Sequence, residues 1–95
     1  MPVVMNMRWK GVTKEQYEAA RNEVNWESDV PKGAKFHVAA FDDQGLLVTD
    51  VWASAEDFNA FVEQRLGPGV QKVGIQGDPE VTITAAHAIF APDPG

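Results

Sequence analysis

The chain has 95 residues, no cysteine and a formal net charge of -6 at pH 7. These values exclude disulfide and thiolate chemistry. They also disfavour nucleic acids and anionic membranes as partners, because both select basic surfaces and the chain has 8 basic residues against 14 acidic ones.

This length predicts one domain spanning residues 1–95, with an ordered core at about residues 2–90 and a tail at residues 91–95. A chain of this size buries only about 60–65% of its unfolded surface, so a second copy would help to stabilise it. We find no basic stretch followed by an apolar core at the N-terminus, and no run near the ~20 apolar residues of a membrane helix. We therefore expect a cytoplasmic location.

The first half of the chain predicts a strand, a helix and a hairpin. Residues 2–9 (PVVMNMRW) are typical of a strand, and Thr13 is a suitable helix N-cap with Gln16 three residues later. The helix is predicted to run to about Trp26, with a thin apolar stripe. Residues 35–41 and 46–52 predict two antiparallel strands, because the Asp-Asp-Gln-Gly turn between them supplies Gly45 for a positive φ.

The second half predicts a helix and a last strand. Ser54 is a suitable N-cap for a helix over residues 55–66, and Gly67 is the expected C-cap. The glycine-rich stretches at 67–69 and 74–79 are predicted connectors. They do not follow a strand and open a helix, so they are not phosphate loops. Residues 80–90 (EVTITAAHAIF) predict the fourth strand.

The element order β-α-β-β-α-β predicts a ferredoxin-like α+β fold, with a four-stranded antiparallel sheet and both helices on one face. In the first strand the odd-numbered residues of 3–9 share one face and the even-numbered residues share the other. Along the first and fourth strands, apolar and charged residues do not alternate cleanly, so both faces of these strands are expected to be partly buried. We therefore predict a homodimer packed sheet against sheet, the alternative being a helix-covered face lined by small polar groups.

Three segments carry a resemblance to a known superfamily: GVTKEQY at 11–17, FHVAA at 36–40 and VWASAEDF at 51–58. The chain resembles the dimeric α-β barrel proteins, and more narrowly the antibiotic-biosynthesis-monooxygenase-type domains, over roughly residues 2–90. The resemblance implies two protomers packed sheet against sheet, with small ligands between the sheet and helices of each. The superfamily includes cofactor-free oxygenases, haem-degrading enzymes, isomerases and proteins with no known activity, so it indicates architecture better than reaction.

The haem-degrading branch of this superfamily can be compared residue by residue. Members that resemble this chain use an Asn on the first strand, a Trp on the second helix and a His at the end of that helix. Asn6 matches the first, but the Trp position falls on Phe61 and the His position falls near Gln71. The axial ligand is therefore missing, and we expect no haem and no other cofactor.

Asn6, His37 and His87 are the candidate catalytic residues. Asn is disfavoured inside a strand, so the Asn6 amide could bind a substrate carbonyl or enolate, or it could bond a loop backbone at the strand end. The two histidines could each serve as a general base near neutral pH, or be half-exposed strand residues with one hydrogen bond. Two histidines without a suitably spaced carboxylate only weakly indicate a metal-binding site, so no metal site is predicted.

The candidate ligand-binding residues are Arg8, Tyr17, Trp52, Phe58 and Phe61. Quinone-forming oxygenases of the superfamily surround a phenolic substrate with Asn, Trp, Tyr or Arg groups, and similar groups occur here. Trp52 could instead fill the core or an interface. Phe58 and Phe61 are expected mainly to fill the core and only secondarily to line a pocket. Arg8 could hold an anionic substrate or pair with a surface carboxylate.

Three functions follow from these residues and from the resemblance. The leading hypothesis is a small-molecule-binding protein, and if catalytic a cofactor-free monooxygenase acting on an aromatic or polyketide-like substrate. The second is a non-enzymatic structural or stress-related dimer, in which side chains such as Phe58 and Phe61 close the gap that an enzyme would keep open. The third is a tautomerase with Pro2 as its secondary-amine base. A hairpin after the first helix opposes it, because a parallel strand is expected there.

Overall fold

The structure is a computed structural model that describes residues 1–92. The last three residues of the predicted tail, 93–95, lie outside this range. The elements are β1 (Val3–Lys10), α1 (Lys14–Val24), β2 (Ala34–Asp42), β3 (Gly45–Trp52), α2 (Ala55–Phe61), α3 (Gly67–Lys72) and β4 (Glu80–Ala85). A π-helical turn at Val62–Leu66 joins α2 to α3. Within the described range no helix has the length and apolar character needed to cross a membrane.

The four strands form one antiparallel sheet in the order β2-β3-β1-β4. Val3 lies opposite Trp52 of β3 on one side and opposite Ala85 of β4 on the other. The predicted ferredoxin-like α+β fold is therefore confirmed. The sheet contains no parallel pair among these strands, which removes the arrangement that the tautomerase hypothesis needed.

One face of the sheet carries the hydrophobic core. Its buried residues come from alternate positions of β1 and β3 and from the helices and the turn before α1: Met5, Met7, Trp9, Val12, Leu46, Val48, Trp52 and Phe58. The helices pack on this face, as predicted. On the other face Phe36, Val38 and Leu47 remain 51%, 46% and 38% exposed. A large apolar surface is therefore left uncovered by this single chain.

Helix α1 begins with the predicted capping box. The Thr13 hydroxyl accepts a hydrogen bond from the Gln16 backbone N–H at 3.2 Å, and the Gln16 side chain accepts one from the Thr13 backbone N–H at 3.0 Å. The helix ends at Val24 because Asn25 adopts a left-handed conformation with φ of 60°. Trp26, predicted to lie in the helix, is therefore placed in the following loop.

The predicted helix end at Gly67 is wrong. Gly67 has a helical φ of -56°, and its N–H donates to the Val62 carbonyl, which closes the π-helical turn. Pro68 is tolerated because it stands in the first turn of α3, where its missing N–H is not needed. The helix ends instead at Lys72, where Gly74 (φ 82°) completes a Schellman motif in which the Ile75 N–H donates to the Val70 carbonyl.

Strand β4 is shorter than predicted. It ends at Ala85, whereas the sequence predicted a strand to residue 90. The reason is the length of its neighbour: β1 begins at Val3, directly opposite Ala85, so later residues have no ladder partner on β1. His87 therefore lies beyond the strand and is exposed.

Candidate functional site

A cavity of about 310 Å³ lies between the sheet and the helices. Its walls are mostly apolar, with Met5, Met7, Leu46 and Val48 from the sheet and Phe58, Phe61, Leu66 and Val70 from the helical side. This volume is at the lower end of the range for small-molecule sites, roughly 300–1,000 Å³. Phe58 and Phe61 line the space and do not close it, so the gap between helices and sheet is open.

Four polar side chains form a continuous hydrogen-bonded chain on the wall of this cavity. The Tyr17 hydroxyl lies 2.7 Å from His37 Nε2, and His37 Nδ1 lies 2.7 Å from Asp50 Oδ1. The second carboxylate oxygen of Asp50 accepts a hydrogen bond from Trp52 Nε1 at 3.0 Å. We call these four residues the relay. All of them line the cavity.

The sheet register creates the centre of the relay. His37 of β2 is the direct cross-strand partner of Asp50 on β3, so their side chains meet on the same face. Trp52 is two residues after Asp50 and shares that face because side chains alternate along a strand. Tyr17 reaches the same point from the first half of α1. Three elements thus bring together residues separated by up to 35 positions in sequence.

The donors and acceptors of the relay can be assigned from chemistry. The indole N–H of Trp52 can only donate, so Asp50 Oδ2 must accept. Asp50 is 6% exposed, and a carboxylate buried to this degree needs partners for both oxygens. An N–H on His37 Nδ1 satisfies Oδ1, which leaves Nε2 with a free lone pair. Burial raises the pKa of Tyr17 above its usual value of 10.0, so at neutral pH the phenol donates to Nε2.

Aromatic rings hold the relay in place. The Trp26 ring lies 5.3 Å from the His37 ring and 5.9 Å from the Tyr17 ring, centroid to centroid. Phe41 packs edge-on against Tyr17 at 5.9 Å. Edge-to-face pairs at such distances are favourable beyond their burial, so these contacts restrict the orientation of the phenol and the imidazole.

Five of the predicted site residues meet at the cavity: Tyr17, His37, Trp52, Phe58 and Phe61. Asn6 and Arg8 do not, because the odd-numbered residues of β1 face the cavity and these two face the open side of the sheet. There the Asn6 side-chain oxygen accepts a hydrogen bond from the Thr49 hydroxyl at 2.8 Å. Arg8 forms a two-pronged ion pair with Asp42 at 2.6 and 2.8 Å, which is the alternative interpretation given above for this arginine.

His87 and Pro2 also lie away from the cavity. Neither residue belongs to the wall of this cavity. The prediction of His87 as a cavity residue failed because it assumed that β4 continued to residue 90. Among residues 1–92, no group of three or more His, Cys, Asp or Glu side chains is arranged to hold a metal ion.

Sequence reasoning missed Asp50, Trp26 and Lys35, all of which line the cavity. For Asp50 a signal was present: it shares a strand face with Leu46, Val48 and Trp52, and an acidic residue among buried apolar neighbours requires partners. Trp26 was missed because the predicted helix included it, whereas the structure places it in the loop after α1. For Lys35 a signal was also present: it stands two residues before His37 in the predicted strand, and residues two apart share a face.

Comparisons with known proteins identify the fold. No protein-family model matches the chain, and no curated protein matches it. A solved protein of unknown function from Nitrosomonas europaea shares 13% identity with a TM-score of 0.67, covering 97% of this chain and 95% of that one. SnoaB, a cofactor-independent oxygenase from Streptomyces nogalater, shares 13% identity with a TM-score of 0.66, covering 96% and 97%. A protein predicted to be an antibiotic biosynthesis monooxygenase, from Deinococcus radiodurans, shares 12% identity with a TM-score of 0.60, covering 98% and 99%.

The fold is that of the dimeric α-β barrel proteins. The resemblance stated above is thus confirmed for the architecture, over nearly the whole length of the chain. Because the chain is only 12–13% identical to these structures, the comparison establishes the fold and not the activity. The cavity and the relay lie between the sheet and the helices, where the resemblance implied that ligands bind.

Proposed function

We propose that this protein binds a small aromatic molecule in the cavity and that the relay removes a proton from it. The observation that carries the proposal is the relay itself, on the wall of an otherwise apolar cavity. Ligand sites characteristically combine apolar walls with a few convergent polar groups. A purely structural dimer would need neither the open space of about 310 Å³ nor a buried carboxylate behind a histidine.

In this proposal His37 is the general base. Asp50 holds its Nδ1–H, which keeps the lone pair on Nε2 and stabilises the imidazolium that forms when a proton arrives. The Tyr17 hydroxyl contacts the ligand. As the ligand gives its proton to the phenol oxygen, the phenol proton moves to Nε2. Trp52 keeps the carboxylate in place through Oδ2 and forms part of the cavity wall with Phe61.

The reaction that fits an aromatic or polyketide-like ligand is a monooxygenation by dioxygen. A methylene group between two aromatic rings loses a proton to the relay and becomes a carbanion. The carbanion reduces O₂ and forms a C–O bond, which gives a hydroperoxide after the proton returns. Loss of water breaks the O–O bond and leaves a carbonyl group, so R₂CH₂ and O₂ become R₂C=O and H₂O. The four electrons lost by carbon are those gained by dioxygen.

The test uses anthrone as the probe and follows its conversion to anthraquinone by absorbance. His37→Gln is expected to lower the protein-dependent rate about 10²- to 10⁴-fold, the usual contribution of a positioned acid–base group. His87→Gln is the matched control and should leave the rate unchanged. A wild-type rate equal to the background oxidation would contradict the oxygenase proposal. Equal rates for His37→Gln and wild type would remove His37 from the mechanism.

We also propose that a second copy covers the open face of the sheet. The support is the uncovered apolar surface of Phe36, Val38 and Leu47, together with the fold shared with dimeric α-β barrel proteins. This assembly leaves the cavity on the opposite face of the sheet. Asn6 and Arg8 would then serve the interface between copies and not the ligand.

A further inference from the structure

We infer that Lys35 binds an acidic group of the ligand, so that the substrate is an aromatic acid; this rests on the proposed ligand site. Lys35 occupies an unusual place in β2. Ala34 pairs with Trp52 and Phe36 pairs with the adjacent Val51, so Lys35 is the extra residue of a β-bulge. Bulges often redirect side chains beside active sites. Here Ala34, Lys35 and His37 all contribute to the cavity wall, although in a regular strand the side chain of Ala34 would face away from those of Lys35 and His37.

Two backbone hydrogen bonds hold the chain just before the bulge. The Ala34 backbone N–H donates to the Pro31 carbonyl at 3.1 Å, and the Ala53 N–H donates to the Gly33 carbonyl at 2.7 Å. These bonds tie the approach to β2 to the end of β3. Lys35 is therefore displayed from a fixed backbone at the solvent side of the cavity, where it is exposed.

The charges around the cavity leave Lys35 unmatched. It is the one lysine or arginine in the cavity wall. The two carboxylates of the wall have partners other than Lys35: Glu27 is paired with Arg21, and Asp50 is hydrogen-bonded to His37 and Trp52. Lys35 itself forms no ion pair with any residue in the described range 1–92. An apolar cavity with one unpaired cation at its edge fits an aromatic ring that carries one negative charge.

The spacing of Lys35 and His37 further restricts the ligand. Two residues along a strand span at most ~6.6 Å, and the Tyr17 hydroxyl that receives the proton of the ligand lies 2.7 Å from His37 Nε2. The acidic group and the departing proton therefore lie on the same edge of the ring system. An ortho-hydroxy aromatic carboxylate has this arrangement. The ring then lies against the apolar wall, and the relay meets the hydroxyl or the adjacent carbon.

The experiment compares 1-hydroxy-2-naphthoate with its neutral analogue 1-hydroxy-2-naphthamide. Dissociation constants are measured by calorimetry, and the imidazole ¹⁵N signal of His37 reports occupation of the cavity, with His87 as the internal control. The wild type should bind the carboxylate about five- to tenfold more tightly than the amide, as for one partly exposed charge-assisted contact. Lys35→Met should abolish this preference and leave amide binding unchanged. Lys32→Met, an exposed residue outside the cavity wall, should keep it.

Each other outcome overturns a specific step. If both ligands shift the His37 signal but bind equally, the cavity stands and the role of Lys35 is wrong. The same holds if Lys35→Met weakens both ligands alike, because the residue then acts through packing. If neither ligand binds nor shifts His37, both the inference and the proposed ligand site are wrong. A circular-dichroism spectrum and a urea midpoint close to wild type exclude misfolding of the variants.

Discussion

His37 Nδ1 lies 2.7 Å from Asp50 Oδ1, and the two residues are direct partners across strands β2 and β3. The contact is set by backbone register and not by loop conformation, so it is present before any ligand arrives. Preorganised groups of this kind lose little conformational freedom when the reaction begins. The same carboxylate also accepts a hydrogen bond from the Trp52 indole N–H, which fixes the orientation of that buried ring.

Replacing Asp50 by Asn should destabilise the protein and break the relay. Asn offers one acceptor and one donor group, whereas His37 and Trp52 both present N–H donors to this position. With the Nδ1–H tautomer that the relay needs, one buried donor would face another donor, with a cost of about 1–3 kcal/mol in the free energy of unfolding. With the Nε2–H tautomer the conflict is avoided, but no lone pair is left on Nε2 for the Tyr17 proton. Urea unfolding measures this. In a double-mutant cycle with His37→Gln the two losses should not add, and strictly additive losses would argue against a coupled pair.

Tyr17 should ionise at a pH above that of a free tyrosine. Burial is the main cause of its raised pKa, with the nearby Arg21 acting in the opposite direction. The chain contains one tyrosine, so absorbance near 295 nm follows this group alone. The folded protein should titrate above pH 10.0, and the same chain in concentrated urea should titrate near it. The folded state holds this proton more tightly than the unfolded state does. The ionisation of Tyr17 therefore leaves the free energy of unfolding unchanged below pH 10 and lowers it as the pH rises above 10. A folded midpoint at or below the unfolded one would contradict the burial of the phenol.

The Arg8–Asp42 ion pair should make stability depend on acid pH. The hydrogen bond from Arg8, followed by the Gln44 backbone N–H, lowers the pKa of Asp42 from 3.8 to about 2. A depressed carboxyl pKa contributes stability above the unfolded value, and this contribution is lost as the pH falls from about 3.8 to about 2. Asp42→Asn should therefore lower the urea midpoint at pH 7 but match wild type at pH 2. Asp43→Asn, in the same turn, should behave as wild type at both values.

Gly69→Ala should destabilise the packing of α3 against α1. A Cβ atom at this position would lie 2.5 Å from Val24 Cγ2, and both residues are buried. Overpacking of this kind typically costs about 1–3 kcal/mol. Adding Val24→Ala to the Gly69→Ala variant removes the clashing methyl group and should recover part of the loss in urea unfolding. A single variant as stable as wild type would mean that the two helices can separate freely.

Leu47→Glu should dissociate the proposed homodimer. Leu47 is exposed on the face of the sheet opposite the cavity, and a carboxylate there would oppose its copy or lose its hydration on association. Sedimentation equilibrium at micromolar concentration should show a dimer for wild type and a monomer for the variant. Val30→Glu, an exposed apolar residue outside the sheet, should stay dimeric. A monomeric wild type would contradict packing through this face.

The sequence alone determined the type and the order of the elements. These depend on local signals: alternation along strands, the Thr13 capping box and the turn before Gly45. Where a signal was ambiguous the prediction failed. Gly67 has the composition of a helix end, but its backbone is helical because α3 gains burial by packing Gly69 against Val24. The strand predicted to residue 90 ends at Ala85 because its antiparallel partner β1 begins at Val3, directly opposite.

The site shows the same division. Tyr17, His37, Trp52, Phe58 and Phe61 were proposed from residue type, and the fold brings all five to one cavity. Asn6 has the chemistry of a ligand-binding residue but faces the other side of the sheet, since a shift of one residue along a strand reverses the face. The pairing of His37 with Asp50 and the display of Lys35 on a bulge depend on the register between strands that local sequence does not encode. Only the tertiary structure decided these features, because they arise from contacts between segments that the chain brings together on folding.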